Sequence, residues 1–116
     1  MMQPITDAPS MPLVEILIGE PLDAKAVPRV RLLLQDAVEL RPAHLVVDLA
    51  ACDVLDAAGI DLLVEVHRRM WAAGGRLTLR GLSPRLHRMI KLARADRVLH
   101  TAPKPPGYQP RHRPED

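Results

Sequence analysis

Apolar residues fall alternately into short β-rich runs and longer repeats with helical spacing. Residues 13–18 (LVEILI) are rich in β-formers and stop at Gly19, which predicts a strand. Residues 22–40 carry apolar side chains three and four positions apart, which predicts a helix. Asp23 is placed to cap this helix, and Pro28 falls in its early turns, where proline costs less than in mid-helix.

The same alternation continues through the middle of the chain. Residues 44–49 (HLVVDL) predict a second strand. Residues 57–73 carry a helical stripe of leucine, valine and methionine, with Asp56 placed as the N-cap and a pair of glycines placed to end the helix. Residues 76–80 (RLTLR) alternate strictly and predict a third strand.

A further helix is predicted after Ser83, which is placed to cap it, with Pro84 in the first position that proline favours. Its apolar side is expected to consist of Leu86, Met89, Ile90 and Leu92. The order β-α-β-α-β-α predicts a single small α/β domain. We expect a mostly parallel sheet of about four strands, with helices packed against it.

Proline marks the ends of the predicted domain. Eight of the twelve prolines lie in residues 1–12 or 103–116. We therefore expect a flexible arm over residues 1–12, with room for one short strand at 2–6, and a domain over residues 13–100. Residues 101–116 are expected to form a proline-rich disordered tail, which cannot be a regular helix.

The composition indicates the type of core and the cellular location to expect. The chain has 116 residues, 47% of them hydrophobic but only 2% aromatic, so its core must be aliphatic. The one cysteine, Cys52, cannot form an internal disulfide, and a reduced cytoplasmic location is expected. No apolar run approaches the length of a membrane span, and the amino terminus lacks a secretory signal pattern.

Charge is unevenly distributed along the chain. Residues 1–75 hold six Lys or Arg against eleven Asp or Glu, whereas residues 76–97 hold seven against one. A basic segment of this kind raises nucleic-acid binding as an alternative. It is interpreted as a solvated helix face, because no aromatic residues are interleaved to stack on bases.

Residues capable of catalysis are scattered. His67, Arg68 and His87 have no nucleophile near them in sequence, and Cys52 lies in an acidic, apolar loop that favours an inert buried thiol. Three aspartates at positions 48, 53 and 56 are accounted for as strand ends and a helix cap rather than as metal ligands. No glycine-rich phosphate loop is present, so neither enzymatic activity nor a cofactor is expected.

The segment 53–60 (DVLDAAGI) is the most informative. It follows a parallel strand, and open α/β sheets place their sites beyond the carboxyl ends of such strands. Ala57, Ala58 and Gly59 are small enough to let a partner's backbone approach closely. The same residues also suit a tight strand-to-helix turn, and the pattern alone leaves both interpretations open.

The chain resembles the STAS family, the anti-sigma factor antagonist domains of bacteria, from about residue 13 to residue 99. The resemblance lies in the order and spacing of short motifs rather than in any one of them. These are the G-E-x-L-D step at 19–23, VVDL at 46–49, VLDAAGI at 54–60, AAGGRLTLRG at 72–81, SPR at 83–85 and DRVL at 96–99.

This resemblance implies a protein that binds an anti-sigma factor of the serine-kinase type and so releases a sigma factor. Family antagonists are inactivated by phosphorylation of the residue after the helix-start aspartate, in a D-S-[ST]-G motif. Here the motif is D-A-A-G, and Ala57 occupies the phosphoacceptor position without a hydroxyl. The resemblance therefore implies either an antagonist without this phosphorylation switch or a STAS module with another partner.

We expect the partner to bind at the start of the predicted second helix. Asp56 would cap that helix, the small residues would admit the partner, and Ile60 or Asp61 would supply a side-chain contact. The full expected set is Asp23, Asp53, Asp56, Ala57, Ala58, Gly59, Ile60 and Asp61.

Other partners stay open. Stand-alone members of the family also serve as accessory subunits of lipid-transport ATPase complexes, and a nucleotide or nucleic-acid binder is a more distant alternative. We expect no membrane insertion and either a monomer or a weak homodimer. Because residues 101–116 cannot form a regular helix at the end of the domain, we expect part of the sheet or a helix flank to be left for a partner or a second copy to cover.

Overall fold

Each strand of the sheet pairs with the strand that precedes it in the sequence. In the computed structural model, which describes residues 11–103, the strand order is β1-β2-β3-β4 and all three pairings are parallel. The elements are β1 (Met11–Leu17), α1 (Val27–Glu39), β2 (Pro42–Asp48), α2 (Ala57–Ala72), β3 (Arg76–Arg80), α3 (Pro84–Leu92), a 3₁₀ turn (Ala95–Arg97) and β4 (His100–Ala102). The predicted α/β class and parallel sheet are confirmed.

The helices cover one face of the sheet. Leu45, Val47, Leu77 and Leu79 point to that face and are buried in the same cluster as the inner sides of the helices. Val46 is also buried but lies outside this cluster, because adjacent strand residues point to opposite faces. The core is aliphatic, as the composition predicts.

The first helix begins later than predicted, at Val27 rather than at residue 22. Leu22 is held extended by an isolated bridge to Leu55, and Pro28 has no N–H for an i−4 hydrogen bond, so it fits only the first turn. Asp23 is therefore not the N-cap. Its Oδ1 accepts a hydrogen bond from the Ala26 amide, 3.0 Å away, in the turn before α1.

The other helix caps are confirmed. The Ser83 hydroxyl accepts from the Leu86 amide at 3.1 Å, and Pro84 opens α3. Leu92, predicted on the apolar side of α3, is instead 73% exposed, because it follows the buried Ile90 by two residues and so points about 200° away from it round the helix.

The first and last strands of the sheet extend past the predicted domain limits of residues 13 and 100. β1 begins at Met11, within the predicted arm, and β4 takes in Thr101 and Ala102 from the predicted tail. Three residues are too few to show a strand period, which is why β4 was missed. The suggested strand at 2–6 and the remainder of the tail lie outside the described residues.

Charged side chains connect three strands on the face that carries no helix. The Arg80 guanidinium contacts Asp48 Oδ2 at 2.9 Å and Glu15 Oε2 at 3.1 Å. Asp48 is fully buried, and its Oδ1 accepts from the Ala50 amide at 2.8 Å. The Asp48–Arg80 pair therefore joins β2 to β3, and the hydrogen bond from the Ala50 amide to Asp48 fixes the turn after β2.

The helices do not suggest a membrane span. Among residues 11–103, none combines the length and the apolar composition that crossing a bilayer requires.

Removing the buried carboxylate should be costly. Asp48→Ala removes the buried carboxylate that contacts the Arg80 guanidinium, whose side chain is only 16% exposed. We expect the free energy of unfolding to fall by about 3–5 kcal/mol, measured by urea denaturation. Glu15→Gln is the matched control, because Glu15 is half exposed, and it should cost less than about 1 kcal/mol. Equal losses of unfolding free energy in the two variants would contradict the assignment of Asp48 as the main stabilising partner of Arg80.

Acid should destabilise the domain through His44, whose ring contacts Thr78 Oγ1 at 2.7 Å. Burial, and then the Arg76 charge, lowers the pKa of His44 below its ordinary 6.5, whereas the unfolded chain titrates at that ordinary value. Between the two pKa values the unfolded chain binds more protons, so the free energy of unfolding falls as the pH drops below 6.5.

His44→Gln should make this part of the stability curve shallower, because glutamine keeps a polar group beside Thr78 but does not titrate. Urea unfolding at steps between about pH 7 and pH 5 tests this. Some slope should persist from His67, whose pKa is also lowered by burial. An unchanged slope in the variant would show that His44 does not contribute.

Candidate protein-interaction site

Two loops join at the carboxyl edge of the sheet. The Leu22 amide donates to the Val54 carbonyl at 2.8 Å, and the Asp56 amide donates to the Leu22 carbonyl at 3.3 Å. The loop after β1 is thereby fixed to the loop after β2, and the two form one surface.

Asp56 connects this surface at both carboxylate oxygens. Oδ1 accepts from the Gly59 amide at 3.0 Å, which confirms Asp56 as the N-cap of α2. Oδ2 accepts from the Ala24 amide at 3.1 Å, across 32 residues of sequence. The side chain therefore holds the α1 loop and the start of α2 together.

Gly59 is required by close packing. A Cβ at this position would lie 2.3 Å from the Leu22 carbonyl oxygen and 2.9 Å from Leu22 Cγ. Gly59 is buried and Ile60 is only 4% exposed, so both offer a partner less contact area than the sequence suggests. Gly59 faces Leu22 and Leu55, whereas Ile60 lines a cavity with Ala57 and Asp61.

The exposed part of the expected site is smaller than predicted. Asp53, Ala57 and Asp61 are exposed, and Asp23, Asp56 and Ala58 are partly exposed. Val54 was missed by sequence reasoning, yet it is 39% exposed. The only indication in the sequence is that Val54 is an apolar residue directly after Asp53 in a predicted loop. We name Asp23, Asp53, Val54, Ala57 and Asp61 the loop-edge surface.

Cys52 lies beneath this surface as an inaccessible thiol. Burial raises its pKa, and Sγ donates to the Val54 carbonyl at 3.2 Å. Among residues 11–103, no group of three or more His, Cys, Asp or Glu side chains is close enough to hold a metal ion. The loop-edge surface thus offers carboxylates, a methyl group and an apolar side chain, which suit contact with a protein.

A shallow groove leads from Ala57 along α2. The first part encloses about 230 Å³, with Val64 and Arg68 on the α2 side and Arg94 and Val98 opposite. A second cavity of about 270 Å³ also has Val98 in its lining, together with His67, Trp71, Arg97 and His100.

Comparison with known proteins identifies both a family and a fold. The sequence pattern of the STAS domain family matches residues 9–105. No sequence among the curated proteins matches this chain.

Several solved structures share the fold at low sequence identity. A Thermotoga maritima protein described as a candidate anti-sigma factor antagonist has a TM-score of 0.69 at 14% identity, over 85% of this chain and 81% of that protein. Unphosphorylated SpoIIAA, an anti-sigma factor antagonist, has a TM-score of 0.61 at 18% identity, over 88% of this chain and 86% of its own. The phosphorylated Bacillus SpoIIAA has a TM-score of 0.55 at 21% identity, over 78% of this chain and 80% of that protein.

The close contact at Gly59 gives a prediction about the loop-edge surface. Gly59→Ala should lower the free energy of unfolding by about 1–3 kcal/mol, because the added methyl group meets backbone that cannot move freely. Gly19→Ala is the control, since its Cβ would meet nothing nearer than 3.9 Å. Chemical denaturation of both variants tests this, and equal stability would show that the junction can relax.

Proposed function

The chain belongs to the STAS domain family, and from this premise we propose that it is an anti-sigma factor antagonist. It binds an anti-sigma factor of the serine-kinase type in the cytoplasm and thereby frees a sigma factor. It acts by exchange of protein partners rather than by catalysis.

One observation carries this proposal: Ala57 is exposed as the first residue of α2, within the loop-edge surface. The family resemblance assigns this position to the phosphoacceptor. Asp56, fixed by two backbone amides, holds the start of α2 in a defined position relative to the loop after β1. A partner therefore meets a preformed surface, which lowers the entropic cost of binding.

The absence of a hydroxyl at Ala57 distinguishes the regulation of this antagonist from the family mechanism. In the family mechanism, a phosphate at this position places a dianion within the contact surface, where it adds repulsion and desolvation cost. Ala57 cannot accept a phosphate, so the kinase activity of the partner cannot release it there. Binding is then governed by the amounts of the two proteins and by other partners that compete for the anti-sigma factor.

Purification of the tagged protein from its native host, with partners identified by mass spectrometry, tests the proposed function. We expect an anti-sigma factor with a kinase-like ATP-binding domain, and a bait with its unphosphorylated mass. Recovery of a transporter ATPase without an anti-sigma factor would overturn the proposal and favour the accessory-subunit alternative.

A charge placed at Ala57 should block binding without unfolding the protein. Ala57→Glu puts a carboxylate in the first turn of α2, which favours the helix but repels a partner that packs there. We expect recovery of the anti-sigma factor to fall at least about tenfold, in line with a loss of over 1 kcal/mol at an interface. Leu32→Glu, on the exposed side of α1, is the control. Undiminished binding of Ala57→Glu would exclude this surface.

A serine at the same position should create the missing switch. Ala57→Ser supplies the hydroxyl after the capping Asp56, so a serine-kinase partner should transfer phosphate from ATP to this variant but not to the wild type. Ala58→Ser carries the same hydroxyl one residue further on and is the control. Intact-mass measurement after incubation with the partner and ATP detects the transfer. Binding without phosphorylation of Ala57→Ser would indicate a partner that is not such a kinase.

A further inference from the structure

We propose that the groove along α2, from Ala57 to Trp71, receives an acidic segment of the partner protein. This inference rests on the proposed function, because that partner is the protein already bound at the loop-edge surface. It adds a second contact region, about 20 Å away along the helix at 1.5 Å per residue. We name the cavities on either side of Val98 the α2 groove.

The two cavities are neighbours that share Val98 as a lining residue. The first of them is also lined by Ala57, within the loop-edge surface. An extended or helical segment that contacts Ala57 is thus led along α2 towards Trp71. Continuity with the proposed contact surface is the first argument for this occupant.

Trp71 supplies an anchor at the far end. It is the only tryptophan in the chain and is 69% exposed. Its ring stacks on His67 with centroids 6.3 Å apart, which holds a broad apolar surface towards solvent. Tryptophan and arginine are the residues most enriched where binding energy concentrates.

The charge of the groove determines the chemistry of the partner. Arg68, Arg94 and Arg97 line it, and none of them has an ion pair with another residue in the part of the chain that the structure describes. Asp61 is the one acidic residue among the described lining, and it lies at the Ala57 end. The field along the groove therefore favours a segment rich in carboxylates.

His67 provides a further polar group in the groove. Its Nδ1 is buried and has no hydrogen-bond partner among the described residues. Its ring lies between Trp71 and His100, whose centroid is 6.2 Å away.

Affinity measurements with the anti-sigma factor recovered from the host test the inference. Trp71→Ala should weaken binding by about 30-fold or more, the size expected for an interface anchor. Leu32→Ala is the matched control, since Leu32 is 64% exposed on α1, and it should change affinity by less than about twofold. Calorimetric titration and an unfolding curve for each variant separate lost contact from lost folding.

Arg97→Glu keeps Trp71 as a fluorescent reporter and tests the charge. The wild type should show a shift of Trp71 emission on binding, with an affinity that falls as salt is added. Arg97→Glu should bind about tenfold more weakly and with less dependence on salt. Unchanged emission on binding, or equal salt dependence in the variant, would overturn the inference.

The outcomes separate this inference from the proposed function. If Ala57→Glu abolishes binding to the anti-sigma factor while Trp71→Ala matches Leu32→Ala, the function stands and the groove is not used. If a protein other than an anti-sigma factor is recovered, the proposed function fails. Binding of that protein to Trp71→Ala then still tests the groove: lost binding supports its use, and retained binding contradicts it. If nuclease treatment removes the Trp71-dependent recovery, the groove binds nucleic acid and the inference is wrong. Recovery of no protein above the Ala57→Glu background contradicts both.

Discussion

The packing of Leu22 against the first turn of α2 is the contact on which the candidate site depends. Leu22 is fully buried, its amide and carbonyl bond to the loop after β2, and its carbonyl oxygen lies only 2.3 Å from the position that a Cβ of residue 59 would take. This contact requires glycine at 59. It also keeps Leu22 extended, which delays the start of α1. The arrangement of both loops thus follows from one close approach of backbone to backbone.

Asp56 completes that junction because its two oxygens serve two different segments. One caps α2, and the other holds the loop that leads into α1. A carboxylate that accepts two backbone hydrogen bonds acts as a fixed part of the structure, whereas the neighbouring Asp53 and Asp61 are exposed to solvent. Loss of Asp56 would therefore alter the shape of the surface, and loss of Asp53 or Asp61 its charge.

The domain separates its charges in space as well as in sequence. Carboxylates lie at the loop-edge surface, while three arginines of the basic segment have positions that the sequence did not predict. Arg80 is turned inward to the buried Asp48, and Arg94 and Arg97 line the groove beside α2. The other basic residues of the segment, Arg76, Arg85, Arg88 and Lys91, are exposed, in keeping with the predicted solvated face.

The sequence by itself determined the α/β class, the parallel strands, the caps at Asp56 and Ser83, and the family. Each of these is written in local patterns: strand and helix periods, cap residues, and short motifs in a fixed order. The bridge at Leu22, the burial of Gly59 and Ile60, the pairing of Asp48 with Arg80, and the strand at 100–102 were decided only by the tertiary structure. The physical reason is that these features depend on groups about 20 to 40 residues apart, whose contact leaves no periodic pattern in the sequence.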